Sequence, residues 1–186
     1  GSQSEIVPAQ SGTTVRLTID RDIQWVASQA IAEAVKNARA SSGTVIVMDP
    51  KTGAILAHAT APTFNPNNTK NVSLELMRNP SVQDVYEPGS TGKVMTLAAA
   101  LEEGTISPET VFDVPYKIRR AGEEFRDHDP HPLQKLTTAG ILAVSSNTGT
   151  IKIAETMSND TLHSYLTKFG IGSKTGAGLP GENVGR

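Results

Sequence analysis

Tyr86-Glu87-Pro88-Gly89-Ser90-Thr91-Gly92-Lys93 runs directly into Val94-Met95-Thr96-Leu97-Ala98-Ala99-Ala100-Leu101-Glu102-Glu103-Gly104. Pro88-Gly89 marks a helix entry, Gly104 stands in the C-terminal capping position, and the spacing predicts a helix over residues 90–103. Val94, Leu97, Ala98 and Leu101 supply its expected buried face. Ser90 falls in the first turn, and Lys93, three residues on, shares its face. That pairing has chemical meaning. A serine hydroxyl is a weak nucleophile that needs a base within hydrogen-bond reach, and a lysine at i+3 serves as that base when neutral. Desolvation and the positive end of the helix both disfavour the charged ammonium. Alone, an S-x-x-K is expected about once by chance in a chain of this size, so the pair needs support from elsewhere.

Downstream, an irregular stretch runs to about Leu133, and residues 138–144, 148–157 and 159–169 read as three short helices, the last ending in Gly170. Ser145-Ser146-Asn147 lies between the first two. A hydroxyl and a carboxamide there can relay a proton and hold a substrate amide, although S-S-N is also an ordinary helix N-cap sequence. Upstream, residues 62–80 are rich in Asn and Pro and read as a surface excursion with at most a short helix near 74–78. Residues 43–49 and 54–60 are apolar runs around the turn Pro50-Lys51-Thr52-Gly53, a hairpin expected in the middle of a sheet. Before it, Asp20 caps a helix whose apolar stripe is Ile23, Val26, Ala27, Ala30, Ile31, Ala34, Val35 and Ala38. Trp25 falls off that stripe and is expected against a neighbouring segment. Residues 14–19, with Val15, Leu17 and Ile19 alternating, predict a strand. The order predicts an α+β fold: an antiparallel sheet packed with helices beside a mostly helical region. So few strands for so many helices predicts a sheet left incomplete at the C-terminus.

With 186 residues, 37% hydrophobic and 19% charged, the chain is long enough for one domain or a large piece of one. The net charge of -2 and scattered basic residues argue against a nucleic-acid face. With no cysteine, disulfides, thiolate metal sites and cysteine nucleophiles are excluded. No run of about 18 apolar residues is present to cross a membrane. Gly1-Ser2 has the form of a cloning remnant, and residues 1–13 have linker composition.

The block Tyr86-Glu87-Pro88-Gly89-Ser90-Thr91-Gly92-Lys93, the hairpin from Val47 to Ala57, the opening Leu17-Thr18-Ile19-Asp20 with Ile23-Gln24, and Leu136-Thr137 leading to Ser145-Ser146-Asn147 resemble the class B penicillin-binding proteins, in order and at similar intervals. The resemblance covers roughly residues 14–186, read as the front portion of a transpeptidase domain. It implies that Ser90 is acylated by a D-Ala-D-Ala stem peptide or a β-lactam and that Lys93 is its base. Ser145 would relay protons and Asn147 would hold substrate. No cofactor or metal is implied. The implied setting is peptidoglycan synthesis at the extracytoplasmic face of a bacterial membrane, anchored by an upstream segment, with other cell-wall proteins as partners. Gly92 stands where an aromatic residue is frequent in the family. A serine β-lactamase or β-lactam sensor of the same fold, and a non-catalytic scaffold, stay open as alternatives. The hairpin and the Y-E-P-G-S-T-x-K block favour the transpeptidase.

The family also uses a K-T-G on a cleft-lining strand, which binds the substrate carboxylate and leads into half of the oxyanion hole. Lys51-Thr52-Gly53 reads as a hairpin turn, and Lys174-Thr175-Gly176 as a loop too close to Ser145, so neither is expected to be that motif. The expectation is therefore that the chain stops short of it and is acylated poorly as it stands. Arg126-Asp127-His128-Asp129-Pro130-His131-Pro132 invites a metal reading, but its prolines and its place before S-S-N favour cleft-rim structure. His58 reads as a packed or surface histidine.

Overall fold

The computed structural model describes residues 9–185, which fall into two compact units, one ending at Gln83 and one beginning at Asp84. Gly1-Ser2 and most of the expected linker lie outside the described residues.

In the first unit, helix α1 (Arg21–Ala38) starts where Asp20 accepts hydrogen bonds from the Asp22 and Ile23 N–H groups, and ends at Arg39 in the left-handed region. Strands β1 (Gly43–Met48) and β2 (Ile55–Ala61) pair antiparallel around the expected turn. One face of this hairpin packs on α1 through Ala27, Ile31, Val45, Val47, Ala57 and Ala59. The helix stripe is narrower than its sequence suggests, because Val26, Ala30 and Ala34 are exposed. A polar residue holds the inner face instead. Gln24 accepts from the His58 N–H (2.7 Å) and donates to the His58 carbonyl (3.0 Å), acting as a one-residue strand partner for β2.

Four expectations need correcting in this unit. Residues 14–19 form no strand: Thr18 Oγ1 donates to the Ile55 carbonyl and the Asp20 N–H to the Leu56 carbonyl, but Val15 and Leu17 stay 78% and 71% exposed, so their alternation has no face to bury. The hairpin is a two-stranded sheet by itself among the described residues, not the middle of a larger one. Residues 74–78 are turns, and the short helix of this excursion is α2 (Pro80–Gln83). Trp25 is exposed rather than packed.

The second unit opens with a 3-10 turn, Gly89–Gly92, that passes directly into α3 (Lys93–Glu102). The buried side of α3 carries Leu97, Ala99 and Ala100, while Val94 and Leu101 are exposed, so the face is rotated from the expected one. The stretch read as irregular contains four short strands: β3 (Val111–Val114), β4 (Lys117–Arg120), β5 (Glu123–Arg126) and β6 (Gln134–Thr137). β3 pairs with β6 and β4 with β5, both antiparallel. Ala121 and Gly122 both take positive φ in the β4–β5 turn, the conformation that two-residue hairpins favour. Helices α4 (Thr138–Ala143), α5 (Asn147–Ala154) and α6 (Asn159–Lys168) follow close to their expected places, each with a side-chain N-cap from Thr137, Ser146 and Ser158. Leu97, Ala100, Ile106, Val114, Ile141 and Ile153 form one core joining α3, β3, α4 and α5. The architecture is α+β.

Candidate active site

In a 3-10 turn residues three apart lie one above the other. Gly89–Gly92 therefore aligns Ser90 with Lys93, whose own N–H closes the turn on the Ser90 and Thr91 carbonyls. Thr91 Oγ1 donates to the Pro88 carbonyl (2.6 Å) and fixes the entry. Ser90 is exposed and Lys93 half-buried. Lys93 Nζ donates to both the carbonyl and the hydroxyl of Ser145, the latter at 3.0 Å. Burial pushes the Lys93 pKa below its ordinary value, and the charge of Asp127 pulls the other way without cancelling it.

Ser145 sits between α4 and α5 in the left-handed region, at φ 55. Its neighbour Ser146 points inward, accepting from the Gly149 N–H (2.8 Å) and donating to Asp127 Oδ2 (2.7 Å). Asn147 Nδ2 donates to the Arg126 carbonyl (2.8 Å) while the residue stays exposed. A side chain at Gly149 would start 2.8 Å from two Ile141 carbons, so only glycine lets α5 approach α4 this closely.

Asp127 is the buried charge beneath this loop. Burial alone would raise its carboxyl pKa, yet bonds from Thr148 N–H, Ser146 Oγ and His131 together hold it below the usual carboxylate value. His131 Nε2 lies 3.0 Å from Asp127 Oδ2, and its pKa is raised by the Pro132 carbonyl and by Asp127. The 126–132 stretch thus turns its Asp and His on each other and on the S-S-N loop. Among the described residues no group of three or more acidic or histidine side chains is placed to hold a metal.

Of the four residues singled out in the sequence, Lys93 and Ser145 are in contact, Ser90 is placed beside Lys93 by the turn, and Asn147 is tied to Arg126. Sequence reasoning named Asp127 as cleft-rim structure and Ser146 within S-S-N, but missed that they bond each other and passed over Thr148. Their partners lie 19 and 21 positions apart, beyond any local pattern. Neither K-T-G lies on a strand: Lys51 belongs to the β1–β2 turn, and Thr175 closes its loop on Glu182. His58, half-buried, bonds Ser81.

The sequence profile described as the penicillin binding protein transpeptidase domain matches residues 43–186. The chain belongs to this family. Among penicillin-binding proteins it is similar to PbpB of Mycolicibacterium smegmatis, 38% identical over all of this chain and 30% of that protein. Peptidoglycan D,D-transpeptidase FtsI of Escherichia coli is 36% identical over 95% of the chain and 30% of its own length. The chain thus spans under a third of these curated relatives. The crystal structure of penicillin binding protein 3 from Mycobacterium tuberculosis superposes with a TM-score of 0.90 at 36% identity, covering 97% of this chain and 41% of that one. Forms of that protein complexed with aztreonam and with ampicillin match equally well.

Proposed function

We propose that this chain carries the acyl-transfer centre of a peptidoglycan D,D-transpeptidase, with Ser90 as nucleophile, Lys93 as base, Ser145 as proton relay and Asn147 as a substrate-binding side chain. The contact of Lys93 Nζ with Ser145, on a lysine whose pKa burial has lowered, carries the reading. Neutral Lys93 takes the Ser90 proton as Oγ attacks the carbonyl of the penultimate D-Ala. The C–N bond then breaks, the leaving D-Ala nitrogen takes the proton back through Ser145, and an acyl-Ser90 ester remains. An amine from a second stem peptide attacks that ester, forms the cross-link and returns the proton to Ser90 by the same route.

A β-lactam enters the same sequence, but its leaving nitrogen stays tethered and blocks the acceptor. Aztreonam and ampicillin in the complexes of the similar mycobacterial protein support β-lactams as covalent inhibitors here. The substrate places the activity at the extracytoplasmic face of a bacterial membrane; among the described residues no helix is long and apolar enough to cross one. Residues 14–186 are read as the front portion of the transpeptidase domain, supported by the absence of a strand at either K-T-G. The test is intact mass after incubation with benzylpenicillin, on the protein that carries this chain and on its Ser90→Ala variant. One stable adduct on the wild type and none on the variant is expected. An adduct on both removes Ser90 from the mechanism, and rapid turnover of the adduct identifies a β-lactamase instead.

A further inference from the structure

We propose that Asp127 is the positioning residue of this site: its buried carboxylate grips the residues on both sides of Asn147 and so holds Ser145 against Lys93. The proposal rests on the reading of Ser90 and Lys93 as the acyl-transfer pair.

Asp127 directly follows β5, and its N–H bonds the Tyr116 carbonyl (3.0 Å) just ahead of β4, so its backbone is fixed to that hairpin. Oδ1 accepts from the Thr148 N–H (2.9 Å); Oδ2 accepts from Ser146 Oγ (2.7 Å) and lies 3.0 Å from His131 Nε2. The Thr148 hydroxyl, 3.4 Å from Oδ2, gives its single proton to the Pro115 carbonyl at 2.7 Å and is no donor to Asp127. Between the two gripped residues, Asn147 Nδ2 donates to the carbonyl of Arg126, the residue before Asp127. Residues 126 and 127 therefore take three bonds from residues 146, 147 and 148.

The next residue back is Ser145, at φ 55. For a non-glycine residue this conformation is strained and persists only where the surroundings over-determine it. That conformation turns both the carbonyl and the hydroxyl of Ser145 to one lysine nitrogen. Asp127 hydrogen-bonds neither Ser90, Ser145 nor Lys93, so it acts through the loop.

Its charge and its grip also pull Lys93 in opposite directions. The negative charge favours the ammonium form, whereas the ordered loop keeps Lys93 desolvated and disfavours it. Asp127→Asn removes the charge and keeps an acceptor for the Thr148 N–H. Asp127→Ala removes both. The Lys93 titration, followed by NMR of 13C-labelled lysine and assigned with Lys93→Arg, separates the two roles without any substrate. It is repeated in a His131→Gln background, because His131 is the titratable group facing Asp127.

In the protein carrying this chain, Asp127→Ala is expected to move the Lys93 midpoint up toward that of a solvated lysine. It is also expected to slow penicillin acylation by about a hundredfold, the usual cost of misplacing a catalytic group by about 1 Å. Asp127→Asn is expected to move the midpoint down and to lose about tenfold or less in rate. A folded Asp127→Ala with the wild-type Lys93 midpoint and acylation rate overturns the proposal, even if its melting temperature falls. Should Asp127→Ala not fold, Ser146→Ala removes one side of the grip and must shift Lys93 upward; an unmoved midpoint overturns the proposal equally. Labelling of Ser90→Ala by penicillin would sink the functional reading but leave the titration to judge the role of Asp127.

Discussion

Lys93 Nζ lies 3.0 Å from Ser145 Oγ although 52 positions of sequence separate them. The apolar core brings them together. Leu97 and Ala100 on α3 pack in one cluster with Ile141 on α4 and Ile153 on α5, and the S-S-N loop is the link between those last two helices. Each large aliphatic side chain buried there stabilises by about 1.5–3 kcal/mol, so the same packing that holds the unit together sets the distance between the two motifs.

Ser145→Ala removes the hydroxyl beside Lys93 and leaves the carbonyl contact in place. Penicillin acylation is expected to slow by at least about a hundredfold, the lower end for a positioned proton-transfer group. Stopped-flow rates for wild type and variant give the answer, and equal rates would exclude Ser145 as a relay.

Lys51→Ala and Lys174→Ala are expected to leave acylation within about twofold of wild type, since neither residue lies on a strand. A loss of about a hundredfold for Lys174→Ala, the size of a lost oxyanion-type contact, would identify its K-T-G as a working motif.

Gly149→Ala would place a methyl 2.8 Å from two Ile141 carbons and 3.0 Å from Ser146 Oγ. Separating α4 from α5 is expected to cost about 1–3 kcal/mol. Thermal unfolding measures it, and a melting temperature equal to that of wild type would show that the two helices have room to spare.

Acid should act through Asp127. Its carboxyl pKa is lowered in the folded chain from 3.8, burial being outweighed by bonds from Thr148, Ser146 and His131. The folded value lies below the unfolded one, so the stabilisation is present above the unfolded value and is lost as pH falls through the folded value. Below about pH 4 the melting temperature of wild type should fall more steeply than that of Asp127→Asn. Parallel slopes would remove Asp127 as the source.

Helix α1, the β1–β2 hairpin and helices α3 to α6 were legible because their apolar residues recur at the period of the element. Strands β3 to β6 were not. They are four residues each, and β4 and β5 have almost no buried face, so alternation never develops. The β4–β5 turn is Ala-Gly, a weaker hairpin signal than Asn-Gly. At the site, Ser90 and Lys93 were legible as an i, i+3 pair, since helical geometry alone makes them neighbours. Ser145 and Asn147 were visible as a polar pair between two helices, but an ordinary N-cap has the same sequence, and it was the family resemblance that gave them roles. Asp127 was read as cleft-rim structure, because nothing near it in sequence tells that a carboxylate there points inward to residues 19 and 21 positions away.

A neutral lysine nitrogen has two N–H bonds and one lone pair, and Ser145 accepts both hydrogens. That leaves the amine one open valence. A proton can be gained only there, and the residue stacked a single 3-10 turn away is Ser90. The Ser145 hydroxyl, already accepting from the amine, keeps its own hydrogen for an outside acceptor. The S-S-N loop thereby holds two corners of one nitrogen, the turn that carries it sets Ser90 three residues away, and in the proposed mechanism the third corner receives the serine proton.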